Sequence, residues 1–215
     1  MIIKKPTTPD DRKAIRQLLA KEMPKEWKID ISAPHSQLVG AWENDGLVGG
    51  ACLSPCTVEA DNLRAQLATF VDLGMMDDSN LATGGKVANW IENRIIKIDM
   101  IATDPAWRGH GIARNVVDYC ETIARQHQCE ALIAAVANTV SHRVFDACGY
   151  LTCPPEVRLI PTRADSDGNF WTYPTLAQGG DIPLVIKELT RGEIFLTCSW
   201  HDWHPNQPSE VFPLS

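Results

Sequence analysis

The chain has 215 residues, of which 44% are hydrophobic and 22% charged, with 27 Asp and Glu against 20 Lys and Arg for a net charge of -7. That length and composition suit one globular domain with additions and a substantial core. The acidity argues against a general nucleic-acid binder, which carries an excess of Lys and Arg.

The first residues, Met1 to Pro6, lack the apolar core of a signal peptide, and no apolar run is long enough to span a membrane, so the expectation is a cytoplasmic protein with no membrane partner. Ile2 and Ile3 begin a strand that Pro6 closes. Thr8-Pro9-Asp10-Asp11 reads as a helix start, with Thr8 as cap and two acids at the positive helix end. Ala14, Ile15, Leu18 and Leu19 give that helix an apolar face, and Pro24 stops it. Residues 37–43 and 47–53 read as a hairpin across Asn44-Asp45-Gly46. Gly49-Gly50 within the second strand predicts a bulge or a close backbone contact. A helix is expected over 58–70, with Leu63, Leu67 and Phe70 on one side. Loops are expected at 75–80 and 83–85, and a short apolar element at 87–91.

Ile95–Thr103 alternates and is rich in β-branched residues, so it reads as a strand ended by Asp104-Pro105. Arg108-Gly109-His110-Gly111-Ile112-Ala113 follows, and then a helix whose Ile112, Val116, Tyr119, Cys120 and Ile123 fall on one face. The two glycines permit a sharp turn and a close approach. The unpaired N–H groups at the helix start, together with Arg108, make a cradle for a phosphate or pyrophosphate. A dinucleotide fingerprint is excluded by Arg114 at the third glycine position, and no Gly-Lys-Ser/Thr follows to make a nucleotide P-loop.

Beyond a further strand at 131–137, Asn138 or Thr139 caps a short helix. Val140, Val144, Phe145 and Cys148 form its apolar side, and Gly149 ends it. Strands are expected at 156–161, 182–189 and 194–200. Asp165-x-Asp167-x-Asn169 lacks the Gly and Glu of a calcium loop and reads as a turn. His201, Asp202 and His204 have no helix or third ligand behind them, so no metal site is expected. The seven Cys form no Cys-x-x-Cys pair and read as buried thiols in a reducing compartment.

Arg108, Gly111 and Ala113 satisfy Arg/Gln-x-x-Gly-x-Gly/Ala. Together with the order strand, loop, helix, strand, Asn, helix, Cys-Gly-Tyr through Tyr150, the sequence resembles the GNAT superfamily of acyl-CoA-dependent N-acyltransferases. The resemblance implies an α/β GNAT fold: a mixed, mostly antiparallel central sheet flanked by helices, here with an insertion after the third strand (about 57–94) and an extended C-terminal tail. It implies a GNAT domain over 1–190 and an extension over 191–215. The insertion would cover the acceptor pocket, build a dimer interface, or be a surface excursion.

The implied activity is transfer of an acetyl group from acetyl-CoA to an amine by direct attack. The acceptor is a small molecule or a protein, nucleic acid is not expected, and a homodimer is open. The loop residues Arg108, Gly109, His110, Gly111, Ile112 and Ala113 would hold the coenzyme A pyrophosphate. Ile101 and Thr103 would bind pantetheine by main chain, with Asn138 assisting or serving only as a helix cap. Strand alternation puts Lys97, Asp99, Ile101 and Thr103 on one face. Some relatives carry a Glu base where Lys97 stands. Asp99 is therefore the candidate base, unless it merely pairs with Lys97. Phe145 occupies the position of the usual Tyr acid, which leaves Ser141, Cys148, Tyr173 or solvent as proton donor. Ser141 is the catalytic candidate of these. Lys97 and Phe145 also admit the alternative of a catalytically weak or inactive acyl-CoA-binding regulatory or structural module.

Overall fold

In the computed structural model, residues 1–23, 30–136, 138–153, 157–164, 170–174, 176–178, 183–199 and 212–213 are described. β1 (Ile2–Lys4) leads to α1 (Pro9–Glu22), which opens as the sequence predicts. The Asp11 amide donates to Thr8 Oγ1 at 3.1 Å and the Thr8 amide donates to Asp11 Oδ2 at 3.1 Å, a reciprocal capping box. β2 (Gln37–Glu43) and β3 (Gly46–Pro55) form the expected hairpin. Asn44 and Asp45 both take positive φ at its turn, the conformation that matches strand twist.

The rest of the order is α2 (Thr57–Asp72), α3 (Asp78–Arg94), β4 (Ile95–Thr103), a 3-10 turn at Pro105–Trp107, α4 (Ile112–Gln126), β5 (Ala131–Ala135), α5 (Thr139–Ala147) and β6 (Leu151–Thr152). Then come β7 (Arg158–Ala164), β8 (Phe170–Thr172), β9 (Ala177–Gln178), β10 (Leu184–Glu188), β11 (Ile194–Ser199) and β12 (Phe212–Pro213). Seven strands form the central sheet in the order β1-β2-β3-β4-β5-β10-β6. Every pairing in it is antiparallel except β4 with β5.

The apolar stripe of α1 (Ile15, Leu18, Leu19) is buried on one face with Cys52, Met100 and Ala102. That of α4 (Ile112, Val116, Cys120, Ile123) is buried on the other with Val39, Ala51, Leu53 and Leu132. Gly49 and Gly50 serve this two-sided packing. A Cβ on Gly49 would stand 2.6 Å from Ile112 Cγ2, and one on Gly50 would stand 3.2 Å from Ile15 Cγ2. The glycine pair is thus the close contact that the sequence anticipates, letting both helices approach one strand.

The insertion differs from the sequence reading. α3 runs continuously through 83–85, where a loop is expected from Thr83-Gly84-Gly85. A Cβ on Gly84 would lie 2.5 Å from Leu67 Cδ1, so the glycine lets α3 close onto α2. That packing offsets the cost of about 1 kcal/mol that a helical glycine carries. The two helices bury Leu63, Leu67, Val87 and Ile91 in a second core with Ile95, Ile133 and Ile186 of the central sheet. Leu159, Tyr173 and Leu196 from the C-terminal part of the chain close the same core.

Those C-terminal strands make a second sheet, β12-β11-β7-β8, with β9 also on β7. β7, where a strand is expected at 156–161, stands outside the central sheet and pairs with β11 from Arg158↔Ser199 to Arg163↔Ile194. The place beside β10 belongs to β6. An apolar run shows that a strand is buried but does not show which sheet takes it. The turn expected at 165–169 and the His201, Asp202 and His204 group lie outside the described residues. All seven cysteines are free thiols, six of them buried. Among the described residues no group of three or more potential ligands gathers as a metal site, and no helix is long and apolar enough to cross a membrane.

Candidate active site

β4 is the element that makes the site. It pairs with β5 from Ile95↔Ala131 to Ile98↔Ala134, so among the described residues 99–103 have no strand on that side and the sheet opens into a gap. Its register against β3 also slips, from Cys52↔Met100 to Leu53↔Ile98, which leaves Asp99 as an extra residue in a bulge.

The bulge corrects the one-face expectation. Ile96 and Ile98 pack in the α4 core, whereas beyond the bulge Met100 and Ala102 pack on the α1 side and Ile101 on the α4 side. Lys97 and Asp99 therefore do not share a face with Ile101 and Thr103. A period of two holds only while every residue is paired, and one unpaired residue inverts it.

On the α4 side lies a cavity of about 600 Å³ lined by Ile101 and Thr103 of β4, by Arg108, Gly109 and Gly111 through Arg114, by Asn138 just before α5, and by Ser141 of α5. Gly109 and Gly111 have φ of 81° and 74°, which side-chain-bearing residues rarely adopt. Gly111 caps α4 without a side-chain hydrogen bond, and the first turn carries no acid. The opening N–H groups of a fifteen-residue helix thus face the cavity at its positive end. Thr103 Oγ1, on the same lining, is buried without a partner among the described residues. Of the nine coenzyme-binding candidates, eight line this cavity and His110 does not.

His110 is turned away from the lining, its Nδ1 lying 3.2 Å from the Trp107 carbonyl and 3.0 Å from that of Arg108. Arg108 is mostly exposed, and its Nη2 donates to Glu22 Oε2 at 2.6 Å. Glu22, in the last turn of α1, also borders the cavity, and nothing in its sequence neighbourhood marks it. Asn138 Oδ1 accepts from the Ser141 amide at 2.9 Å, and Ser141 Oγ donates to the Asn138 carbonyl at 2.9 Å. Asn138 is therefore the cap of α5 and a lining residue at once.

Of the other donors considered, Cys148 is buried with its thiol pushed up to about 11 by desolvation. Tyr173 belongs to the second core. Neither lines the cavity, and Phe145 does not either. Phe145 is 2% exposed, with its ring edge-on to Tyr150 at 5.0 Å.

Asp99 stands on the opposite side of the sheet from the cavity, with Lys97 and Ser54. Its Oδ1 lies 3.6 Å from Lys97 Nζ, which donates to Glu59 Oε1 of α2 at 2.9 Å. Burial raises the Asp99 carboxyl above its ordinary value, outweighing the hydrogen bond from Ser54 and the charge of Lys97. Burial pulls the Lys97 ammonium down, but the hydrogen bond and charge of Glu59 and the charge of Asp99 leave it net raised and cationic. Glu59, 38 residues from Lys97 in sequence, escapes any reading by spacing.

The acetyltransferase (GNAT) family profile matches residues 7–150. An aminoglycoside 6'-N-acetyltransferase solved in complex with coenzyme A is 12% identical, with a TM-score of 0.51 and a match covering 89% of this chain and 99% of that one. An IAA acetyltransferase from Bacillus cereus is 14% identical, with a TM-score of 0.50, covering 87% of this chain and 99% of that one. Likeness at such identities establishes the fold alone. No curated protein sequence matches. With the family profile spanning more than half of its length, and the split β4–β5 sheet and glycine loop in place, the chain belongs to the GNAT family of acetyltransferases.

Proposed function

We propose that the chain is an N-acetyltransferase that moves the acetyl group of acetyl-CoA to an amine by direct attack. One observation carries the reading: the uncapped N-terminus of α4 and the strand-free edge of β4 face one cavity. The loop from Arg108 through Ala113 offers backbone N–H groups to a diphosphate, with Arg108 adding charge. Main-chain groups of Ile101 and Thr103 are left free by the absence of a β5 partner and suit the amide groups of pantetheine. Thr103 Oγ1 and Asn138 add polar contacts along the same wall.

Acetyl-CoA supplies an activated acyl carbon. Its thioester lies in the gap between β4 and β5, where a free N–H on β4 meets the negative charge that develops on the oxygen. The amine enters from the α1 and α2 side of the gap, where Asp99 takes its proton, directly or through water. A nitrogen–carbon bond forms and the carbon–sulfur bond breaks, with the electron pair leaving on sulfur. Ser141 offers a hydroxyl from the cavity wall to the departing thiolate, and solvent supplies the proton.

The test is thiol release on mixing the protein with acetyl-CoA and a panel of polyamines, aminoglycosides and peptides with free N-termini. Release dependent on an amine supports transfer. Calorimetric binding of coenzyme A without release under any amine would instead favour an acyl-CoA-binding module, the reading that Lys97 and Phe145 leave open.

A further inference from the structure

Asp99 has an unfavourable neighbour for a base. An ammonium 3.6 Å away stabilises the carboxylate and weakens its hold on a proton. Glu59 competes for that ammonium at 2.9 Å, and it arrives from the first turn of α2, the first element of the insertion. Its second oxygen, Oε2, is buried without a partner among the described residues, so Lys97 is the charge that holds the carboxylate in place. A buried carboxylate left half-satisfied is costly to the fold.

We propose that Glu59 is a positioning residue for acetyl transfer: it engages the Lys97 ammonium and keeps it from pairing fully with Asp99, so that Asp99 remains free to accept the proton of the attacking amine. The proposal rests on Asp99 as base. The insertion thereby supplies, from outside the strand, the carboxylate that β4 lacks at position 97. The proton balance is unchanged: it leaves the amine nitrogen for Asp99, while Lys97 and Glu59 stay charged throughout.

The groups facing Asp99 are few. Lys97 is on its own strand, Ser54 and Cys52 are on β3, Glu59 and Cys56 are on α2, and Arg16 of α1 and Asp30 act around Cys52. Cys52 and Cys56 are thiols that burial keeps neutral. Within that set Lys97 lies closer to Glu59, at 2.9 Å, than to Asp99, at 3.6 Å.

The experiment compares the full chain with Glu59→Gln, Lys97→Met and the double variant. It follows the Asp99 carboxyl by carbon-13 NMR titration, with Asp99→Asn to assign the signal. It also follows thiol release from acetyl-CoA with the amine of the panel that reacts fastest. Glu59→Gln keeps the shape and the acceptor oxygen for Lys97 but removes the charge. Its Asp99 titration is expected to fall by about one unit, and the acid limb of kcat/KM is expected to follow it with a several-fold loss of kcat. Lys97→Met moves the titration upward, and the double variant returns it toward the wild-type position. Coenzyme A affinity stays unchanged in all three.

A Glu59→Gln protein with wild-type kcat and a wild-type acid limb overturns the proposal. If that variant does not fold, the Lys97→Met titration decides, since an unmoved Asp99 signal there also overturns it. Activity retained in Asp99→Asn removes the base reading itself and is told apart by that variant alone.

Discussion

Arg108 Nη2 lies 2.6 Å from Glu22 Oε2, so the cation at the mouth of the cavity is already engaged by a carboxylate from the last turn of α1. A diphosphate in the loop must share that guanidinium with Glu22 or take it over, and two anions around one exposed cation repel. The pair is worth little to the fold because Arg108 is mostly exposed. Glu22→Gln is therefore expected to tighten coenzyme A by about threefold at low salt, with less gain as salt screens the site. Calorimetry at two ionic strengths checks it, and an unchanged or weaker affinity would show that Glu22 orients Arg108 for the ligand.

Gly111→Val separates conformation from contact. A Cβ at Gly111 would meet nothing within 4 Å, so the first atom of the new side chain has open space. The variant does force a β-branched residue to φ of 74°, at a cost of about 1–2 kcal/mol. The melting temperature should fall modestly, while the heat of coenzyme A binding should be lost, because the side chain projects over the helix N-terminus. Full retention of binding would remove the cradle from the site.

What the sequence could show was local. Thr8 with Asp11, Asn44-Asp45-Gly46, and Gly109 with Gly111 each carry their physical reason within a few residues, and the structure places each in the element expected. The misreadings arise where distant partners decide. Thr83-Gly84-Gly85 looks like a loop until Leu67 is packed on it. The strand at β7 is legible, but its sheet is decided only when β11 pairs with it. The bulge at Asp99 has no composition of its own and comes from how β3 registers against β4. Glu59 and Glu22 reach the site from other elements, so spacing around the motif could not find them.

Asp99→Asn gives a pH test whose sign is fixed by burial. Desolvation raises the Asp99 carboxyl above 3.8, so its protonated form is favoured by folding. Its contribution to stability is full below the unfolded value and is lost as pH rises through the folded one. At pH 7 the wild type therefore carries a buried charge that Asn lacks. The variant should melt at the same temperature or higher while losing thiol release. In the wild type kcat/KM should fall as pH drops through a limb above 3.8, and that limb should be absent from any residual activity of the variant.

Phe145→Tyr would place a hydroxyl where the family resemblance implies a Tyr acid, and here it is expected to achieve nothing for catalysis. The ring is 2% exposed, rests edge-on against Tyr150 and does not line the cavity. The added oxygen would be buried without an assured partner, at a cost of about 1–3 kcal/mol. The expected result is a lower melting temperature with thiol release no faster than in the wild type. Ser141→Ala, in contrast, should slow release and loosen α5 slightly, since its hydroxyl lines the cavity and completes the capping box with Asn138, while the Asn138 side chain still accepts from the residue-141 amide. A rate gain in Phe145→Tyr would mean that the ring reaches the leaving sulfur, and Ser141 would then lose its place in the reaction.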